Sequence, residues 1–267
     1  MLLTYIPSFP FEDLLNDDYS SAITLKAKKN AGPIGVTIET ERSPSGALSS
    51  KIGTKMMNVG GTGFNVDKGQ LKADGARVLE THVKPYPGVK ISFKSSKGAD
   101  VIVDYTKGNL FATGQLDVLD MSKLSASASF AHASGVTFGG AANYGLSGKT
   151  GLTAYDVGVK YAHGPLLASV TSASKLSTFN IGLLYKVNDD VSLASMTTHS
   201  GDKICDFGGL GGSYKASFGT VKAKYTGAGQ VSASLIKEVA PKVTLTASGT
   251  TSLSDFSTFK YGLGIVM

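Results

Sequence analysis

From Ala22 to the end of the chain, apolar and polar residues alternate in stretches of about ten residues. Short turns rich in Gly, Ser, Asp and Lys separate the stretches. The last is the clearest: Phe259, Tyr261, Leu263 and Ile265 alternate with Lys260, Gly262 and Gly264. Successive side chains of a strand point to opposite faces, so each stretch predicts a strand with one greasy and one polar or bare face. About nineteen such strands follow one another, from Ala22–Lys29 through Gln70–Thr81 to Thr258–Val266. The short turns imply hairpins between sequence neighbours, hence an up-and-down meander. No linker divides it. Residues 21–267 are therefore expected to form one barrel, with residues 1–20 as a separate helical segment.

The two faces differ in chemistry. One carries Ile23, Leu25 and Ala27, then Val89, Ile91 and Phe93, and later Phe179, Ile181, Leu183 and Tyr185. The other carries Lys26, Lys28, Lys51, Lys55, Lys90, Lys94, Lys123, Lys160, Lys186, Lys222, Lys224, Lys242 and Lys260. Five acids share that polar face: Glu39, Glu41, Asp100, Asp104 and Asp156. A lysine facing lipid at the bilayer midplane costs ~2–4 kcal/mol. If the sheet closes in a membrane, the charged face must line the lumen. Thirteen lysines against five acids give that wall an expected surplus of +8. A soluble β-rich binding protein would alternate too, but its core would need large side chains where many greasy positions are Ala, Gly or Val. Aromatic residues such as Tyr105, Tyr161, Tyr185 and Tyr225 fall near strand ends, as an interfacial girdle would.

The first twenty residues follow another rule. Phe11, Leu14 and Leu15 have the i, i+3, i+4 spacing of one helix face. Pro10 suits a first helical turn, and Glu12 and Asp13 sit where the helix dipole favours acids. A short amphipathic helix is expected from roughly Phe9 to Asp17. With Asp17 and Asp18 it brings four acids, which would subtract from the positive lumen.

Composition removes several function classes. No run approaches the ~18 apolar residues of a spanning helix, and 33 glycines against 8 prolines suit twisted, tightly turning strands. The net charge of +6 is spread along the strands without interleaved aromatics, which argues against nucleic acid as the primary ligand. Cys205 is the single cysteine, so neither an internal disulfide nor a cysteine zinc site can form. Four histidines scattered at turns predict no metal centre. Gly208-Gly209-Leu210-Gly211-Gly212 lacks the Lys-Ser/Thr of a phosphate loop, and no Gly-x-Ser-x-Gly elbow occurs. The chain is expected to be a non-enzyme without a cofactor. The N-terminus carries neither a secretory signal nor an Arg-rich presequence, which points to a barrel made in the cytosol.

Specific stretches carry a resemblance over nearly the whole chain. Phe11-Glu12-Asp13-Leu14-Leu15-Asn16-Asp17-Asp18-Tyr19 is similar to the N-terminal helix of the mitochondrial porins, the voltage-dependent anion channels, and Pro87-Gly88-Val89-Lys90-Ile91-Ser92-Phe93 resembles one of their strands. Lys260, Gly262, Ile265 and Met267 fit the sorting signal of mitochondrial barrels. Nineteen is also the strand number known for that family, so count and resemblance are not independent. The resemblance implies an all-β transmembrane barrel closed by parallel first and last strands, with a short α-helix in the lumen. It implies a voltage-dependent, weakly anion-selective channel of the mitochondrial outer membrane, passing ATP, ADP, phosphate and small carboxylates. Phe11, Glu12, Asp13, Leu14, Leu15, Asp17 and Asp18 would form the gating helix. Ser232, Ser234, Thr246 and Ser248, beside Lys222, Lys224 and Lys242, would offer weak nucleotide contacts. Its partners would be the lipid bilayer, weakly bound anionic metabolites and nucleotides, and a second copy or other outer-membrane proteins. The runner-up is the pore subunit of the outer-membrane protein translocase, a barrel of the same family. The chain departs from typical members in having no tryptophan and a briefer, more acidic helix. The membrane-facing glutamate of some members falls near Val66 or Asp67, and no role is carried onto either.

Overall fold

Turns of a few residues leave each strand little choice but to pair with its sequence neighbour, and the chain obeys that constraint throughout. The computed structural model describes residues 10–148, 150–201 and 203–267, apart from the side chains of 203–205, among them Cys205. One helix, α1 (Pro10–Asn16), precedes the strands. The first ten are β1 (Ile23–Ala31), β2 (Ile34–Arg42), β3 (Leu48–Met56), β4 (Asn65–Lys72), β5 (Arg77–Tyr86), β6 (Val89–Ser95), β7 (Ala99–Lys107), β8 (Leu110–Asp117), β9 (Lys123–Ala131) and β10 (Val136–Gly145). The rest are β11 (Gly151–His163), β12 (Leu166–Ala173), β13 (Thr178–Lys186), β14 (Val191–Ser200), β15 (Lys203–Ala216), β16 (Gly219–Tyr225), β17 (Gln230–Ala240), β18 (Val243–Ser252) and β19 (Lys260–Val266).

Each strand pairs antiparallel with the next, and β1 closes the 19-stranded sheet by pairing with β19. Direction alternates along a meander, so an odd number of strands makes the first and last run the same way. The closure is accordingly parallel, with Ile23 opposite Leu263 and Lys26 opposite Val266. The ladder continues past β19, where the Met267 amide donates to the Lys26 carbonyl at 2.9 Å. A closed ladder leaves no sheet edge, the condition for a β-structure to sit in lipid. No helix among the described residues is long and apolar enough to cross a membrane.

The faces sort as alternation demands. Leu183 and Leu193 are 43% and 47% exposed, whereas their neighbours Leu184 and Ala194 are 5% and 2% exposed. The apolar residues are thus on the outer surface, inverted from a water-soluble fold and matched to lipid.

Two expectations need correction. Gln70–Thr81 is not one strand: the chain turns at 73–76, where Asp74 Oδ1 accepts the Ala76 amide at 2.9 Å and Gly75 adopts φ 82°. Lys72 therefore ends β4, and Arg77 and Glu80 belong to β5. The helix is shorter than Phe9–Asp17; Phe9 lies outside the described residues, and the last helical turn closes with the Asp17 amide on the Asp13 carbonyl at 3.0 Å. Asp18, at φ 72°, then breaks the helix with a left-handed residue. Register shifts place bulges at Asp67 in β4, Gly208 in β15 and Val239 in β17, each of which inserts a residue and resets the alternation.

Candidate functional site: the lumen and its helix

The helix lies inside the barrel because its apolar stripe has a matching patch of wall. Phe11, Leu14 and Leu15 are buried against Ala141, Leu184 and Ala194, with Leu167 and Met196 around them. These wall positions point inward, and the adjoining glycines leave room for the helix. The Phe11 ring lies directly on Gly182, and a Cβ at Gly211 would come within 2.8 Å of Leu15 Cδ2 and 3.2 Å of Leu14 Cδ2. Burying a side chain of this size stabilises by about 1.5–3 kcal/mol, so three of them hold the helix without its charges.

The connector from α1 to β1 is held by polar contacts. Lys222 Nζ meets the Asp18 carboxylate at 2.6 Å. Lys224 Nζ donates to the Leu15 carbonyl at 2.7 Å and sits 4.5 Å from the centre of the Tyr19 ring. Ser248 Oγ donates to the Ser20 carbonyl at 2.5 Å. That same carbonyl presses on Gly262, where any Cβ would collide with it. Burial pushes the Tyr19 phenol up to about 12, with Asp18 adding to the effect. Burial, and then Asp13 beside it, raises the Glu12 carboxyl. Asp13 and Asp17 remain exposed.

The register fixes where each predicted lysine points. Lys26 and Lys28 of β1, Lys51 and Lys55 of β3, and Lys90 and Lys94 of β6 share the inward face. So do Lys123, Lys160, Lys186, Lys222, Lys224 and Lys260. Lys242 does not: it occupies the β17–β18 turn at φ 67°, off the wall. Sequence alternation missed other inward charges, namely Lys68, Lys72, Lys84, Lys215, Asp67, Glu80, Asp117, Asp206 and Glu238. Among the described strand residues, sixteen lysines then face ten carboxylates, a surplus of six rather than eight. Glu12, Asp13, Asp17 and Asp18 reduce it to two.

That surplus is unevenly placed. It concentrates on the seam half, from β16 through β19 and round to β4, whereas on β5–β9 Glu80, Asp100, Asp104 and Asp117 balance Lys84, Lys90, Lys94 and Lys123. On the seam side Glu39 is held between Lys26 at 3.2 Å and Lys51 at 2.5 Å. Lys28 and Lys55 line the same recess, about 420 Å³, whose floor includes Gly35 and Gly53. Across the wall, His82 Nδ1 and Asp67 Oδ2 lie 2.6 Å apart.

Ser232, Ser234, Thr246 and Ser248 do face inward, in rows with Lys222 and Lys224. The connector already covers part of that strip, engaging Lys222, Lys224 and Ser248. The sorting residues occupy β19 and its end: Lys260 and Gly262 inward, Ile265 outward, Met267 in the closing ladder. No group of three metal-binding side chains occurs among the described residues.

A closed sheet with a lipid-compatible exterior and a charged lumen defines a membrane pore, a porin by architecture. The particular kind follows from the sequence: the profile of the eukaryotic porins matches residues 11–262, and the chain belongs to that family. It is a pore-forming channel for small solutes rather than an enzyme, and an outer-membrane protein. No curated protein matches the sequence at a significant level. Among solved structures, a triple mutant of the Rhodopseudomonas blastica porin is similar at 12% identity and a TM-score of 0.50, over 90% of this chain and 94% of that one. A double mutant of the same bacterial porin gives 13% identity, a TM-score of 0.50 and the same coverage. At that identity the likeness is one of fold.

Proposed function

We propose that this porin is a voltage-dependent, weakly anion-selective channel of the mitochondrial outer membrane, passing ATP, ADP, phosphate and small carboxylates. The observation that carries the reading is the lysine-rich seam half of the lumen, where cations outnumber carboxylates. A fixed positive wall lowers the energy of an anion beside it. The net surplus of two is small, so the preference is slight, and it fades as the screening length falls from ~10 Å at 0.1 M salt to ~3 Å at 1 M. Nucleotides meet Lys28 and Lys55 first; contact with Ser232, Ser234, Thr246 and Ser248 requires the connector to move off Lys222 and Lys224. Voltage dependence follows if a charged element shifts in the field, at ~2.3 kcal/mol per charge per 100 mV. Alpha-helical residues 10–16 and the connector carry four acids, enough for closure at tens of millivolts. A second copy or another outer-membrane protein would pack on the apolar exterior.

The test is the reversal potential of single channels in a KCl gradient. The wild type is expected to prefer chloride slightly. The triple variant Lys28→Glu, Lys55→Glu, Lys90→Glu moves the lumen from +2 to −4 and is expected to prefer potassium. Cation preference in the wild type, or no change in the variant, would defeat the proposal.

A further inference from the structure

The chain has only two arginines, and neither faces the lumen. Arg42 ends β2 opposite the outward residues Ile23 and Leu48, and Arg77 opens β5 opposite the outward Leu71. Because β2 and β5 run in opposite directions, the end of one and the start of the other lie at the same rim. Both side chains are exposed. Of the outward lysines of the strands, Lys107 ends β7, and Lys29 and Lys237 lie near the ends of β1 and β17, all at the opposite rim. Among outward strand positions guanidinium thus occurs at one rim and ammonium at the other, although exposed turn lysines such as Lys97 and Lys175 share the arginine rim.

Below Arg77 the outer wall is grooved. Val36, Ile52, Thr54 and Leu71 flank an apolar channel of about 470 Å³ that Arg77 closes at its rim end. Gly69 contributes no side chain there, which makes the channel a groove rather than a flat belt. Its shallow, apolar lining suits an extended acyl chain. Neither arginine belongs to any of the ion pairs among the described residues. Glu41 beside Arg42 and Glu80 near Arg77 face inward, and Asp74 is turned to the Ala76 amide.

We propose that this groove is a binding site for an anionic glycerophospholipid, with its phosphate on Arg77, one acyl chain over Gly69, and Arg42 reinforcing the positive rim. The choice of residue supports the assignment. A guanidinium grips phosphate through two parallel hydrogen bonds and is weakly hydrated, whereas ammonium is a strongly hydrated point charge. Lysine in the lumen lets anions bind and leave; arginine on the lipid face holds one. Long cationic side chains at a strand end also reach the headgroup layer while their stems stay apolar.

The experiment is native mass spectrometry of the full-length barrel in detergent, with phosphatidylglycerol or phosphatidylcholine added. Wild type is expected to retain phosphatidylglycerol preferentially. Arg77→Gln should lower that retention about tenfold, the usual scale for a lost charge-assisted contact. Thr54→Leu, which fills the groove with an apolar group, should lower retention of both lipids. Lys107→Gln, at the other rim, should change neither. Each variant is inserted into a planar bilayer, where an unchanged reversal potential shows an intact barrel and lumen. Equal retention of the two lipids by wild type, wild-type retention by Arg77→Gln, or displacement of the lipid by inorganic phosphate would overturn the site. Because the groove lies outside the lumen, failure of the anion-selectivity proposal would leave this result untouched, and the converse holds.

Discussion

Replacing Gly182 by alanine tests whether the helix is held by its apolar seat. The Phe11 ring rests on Gly182, so the added methyl must displace it. Phe11 is only 3% exposed in its seat, and burying such a ring is worth about 1.5–3 kcal/mol. Forcing a methyl into a filled contact costs about 1–3 kcal/mol. At 1.4 kcal/mol per factor of ten, the fraction of molecules with α1 released should rise about tenfold to a hundredfold. Hydrogen exchange of the peptide covering α1 reads this directly, through amides such as Asp17, which donates to Asp13 within the helix. Gly114→Ala is the control, since a Cβ there meets nothing within 4 Å. Unchanged exchange in Gly182→Ala, or equal acceleration in Gly114→Ala, would refute the seat. If the helix also sets gating, Gly182→Ala should close at a different voltage while its open-state selectivity stays that of the wild type.

Two smaller effects can be measured alongside. The Lys222–Asp18 pair has side chains 16% and 35% exposed, so a double-mutant cycle of Asp18→Asn with Lys222→Gln should give a coupling of no more than ~1 kcal/mol; a larger value would mean the connector depends on charge more than on packing. In the β18–β19 loop, Asp255 accepts from the Ser257 amide and hydroxyl, and these bonds hold its carboxyl below the usual aspartate range. A depressed pKa stabilises the loop above the unfolded value of ~3.9 and loses that contribution as pH falls through the folded value. The Ser257 amide should therefore stay protected at pH 5 and open only under stronger acid, and Asp255→Asn should remove that pH dependence; titration of the Asp255 carboxyl by NMR at an ordinary aspartate value would contradict it.

The barrel was legible because lipid imposes one rule on every strand, and the rule has period two. Val89, Ile91 and Phe93 could only face outward once Lys90 and Lys94 had to face in. The helix was legible from Phe11, Leu14 and Leu15 alone. Its docking patch was not: Leu184 reads locally as one more apolar residue beside Leu183, and only the register shows it pointing inward with Ala194 and Leu167. Gly182 and Gly211 gave equally little warning. A glycine cleared for a helix dozens of residues away looks like any other glycine in a Gly-rich strand.

The charge ledger failed for a related reason. Period-two reading carries a face assignment along a strand only while no residue is inserted and the strand is continuous. The β4 bulge places Asp67 beside His82 and brings Lys68 inward, opposite Glu80. The unrecognised turn at Asp74-Gly75 hid the inward faces of Lys72 and Glu80. Its signal was present, since Asp-Gly is a strong turn pair. Asp117 and Lys215 fell near strand ends, where alternation has too few residues to declare itself. The missed groups are five acids and four lysines, and Lys242 was counted on the wall although it lies in a turn, so the error ran toward an overly positive pore. A barrel read from sequence alone will tend this way whenever its acids sit at bulges and rims. The wall surplus is therefore six, not eight, and the four acids of the helix and connector leave two, which is why six charge units on three lysines should suffice to reverse the sign.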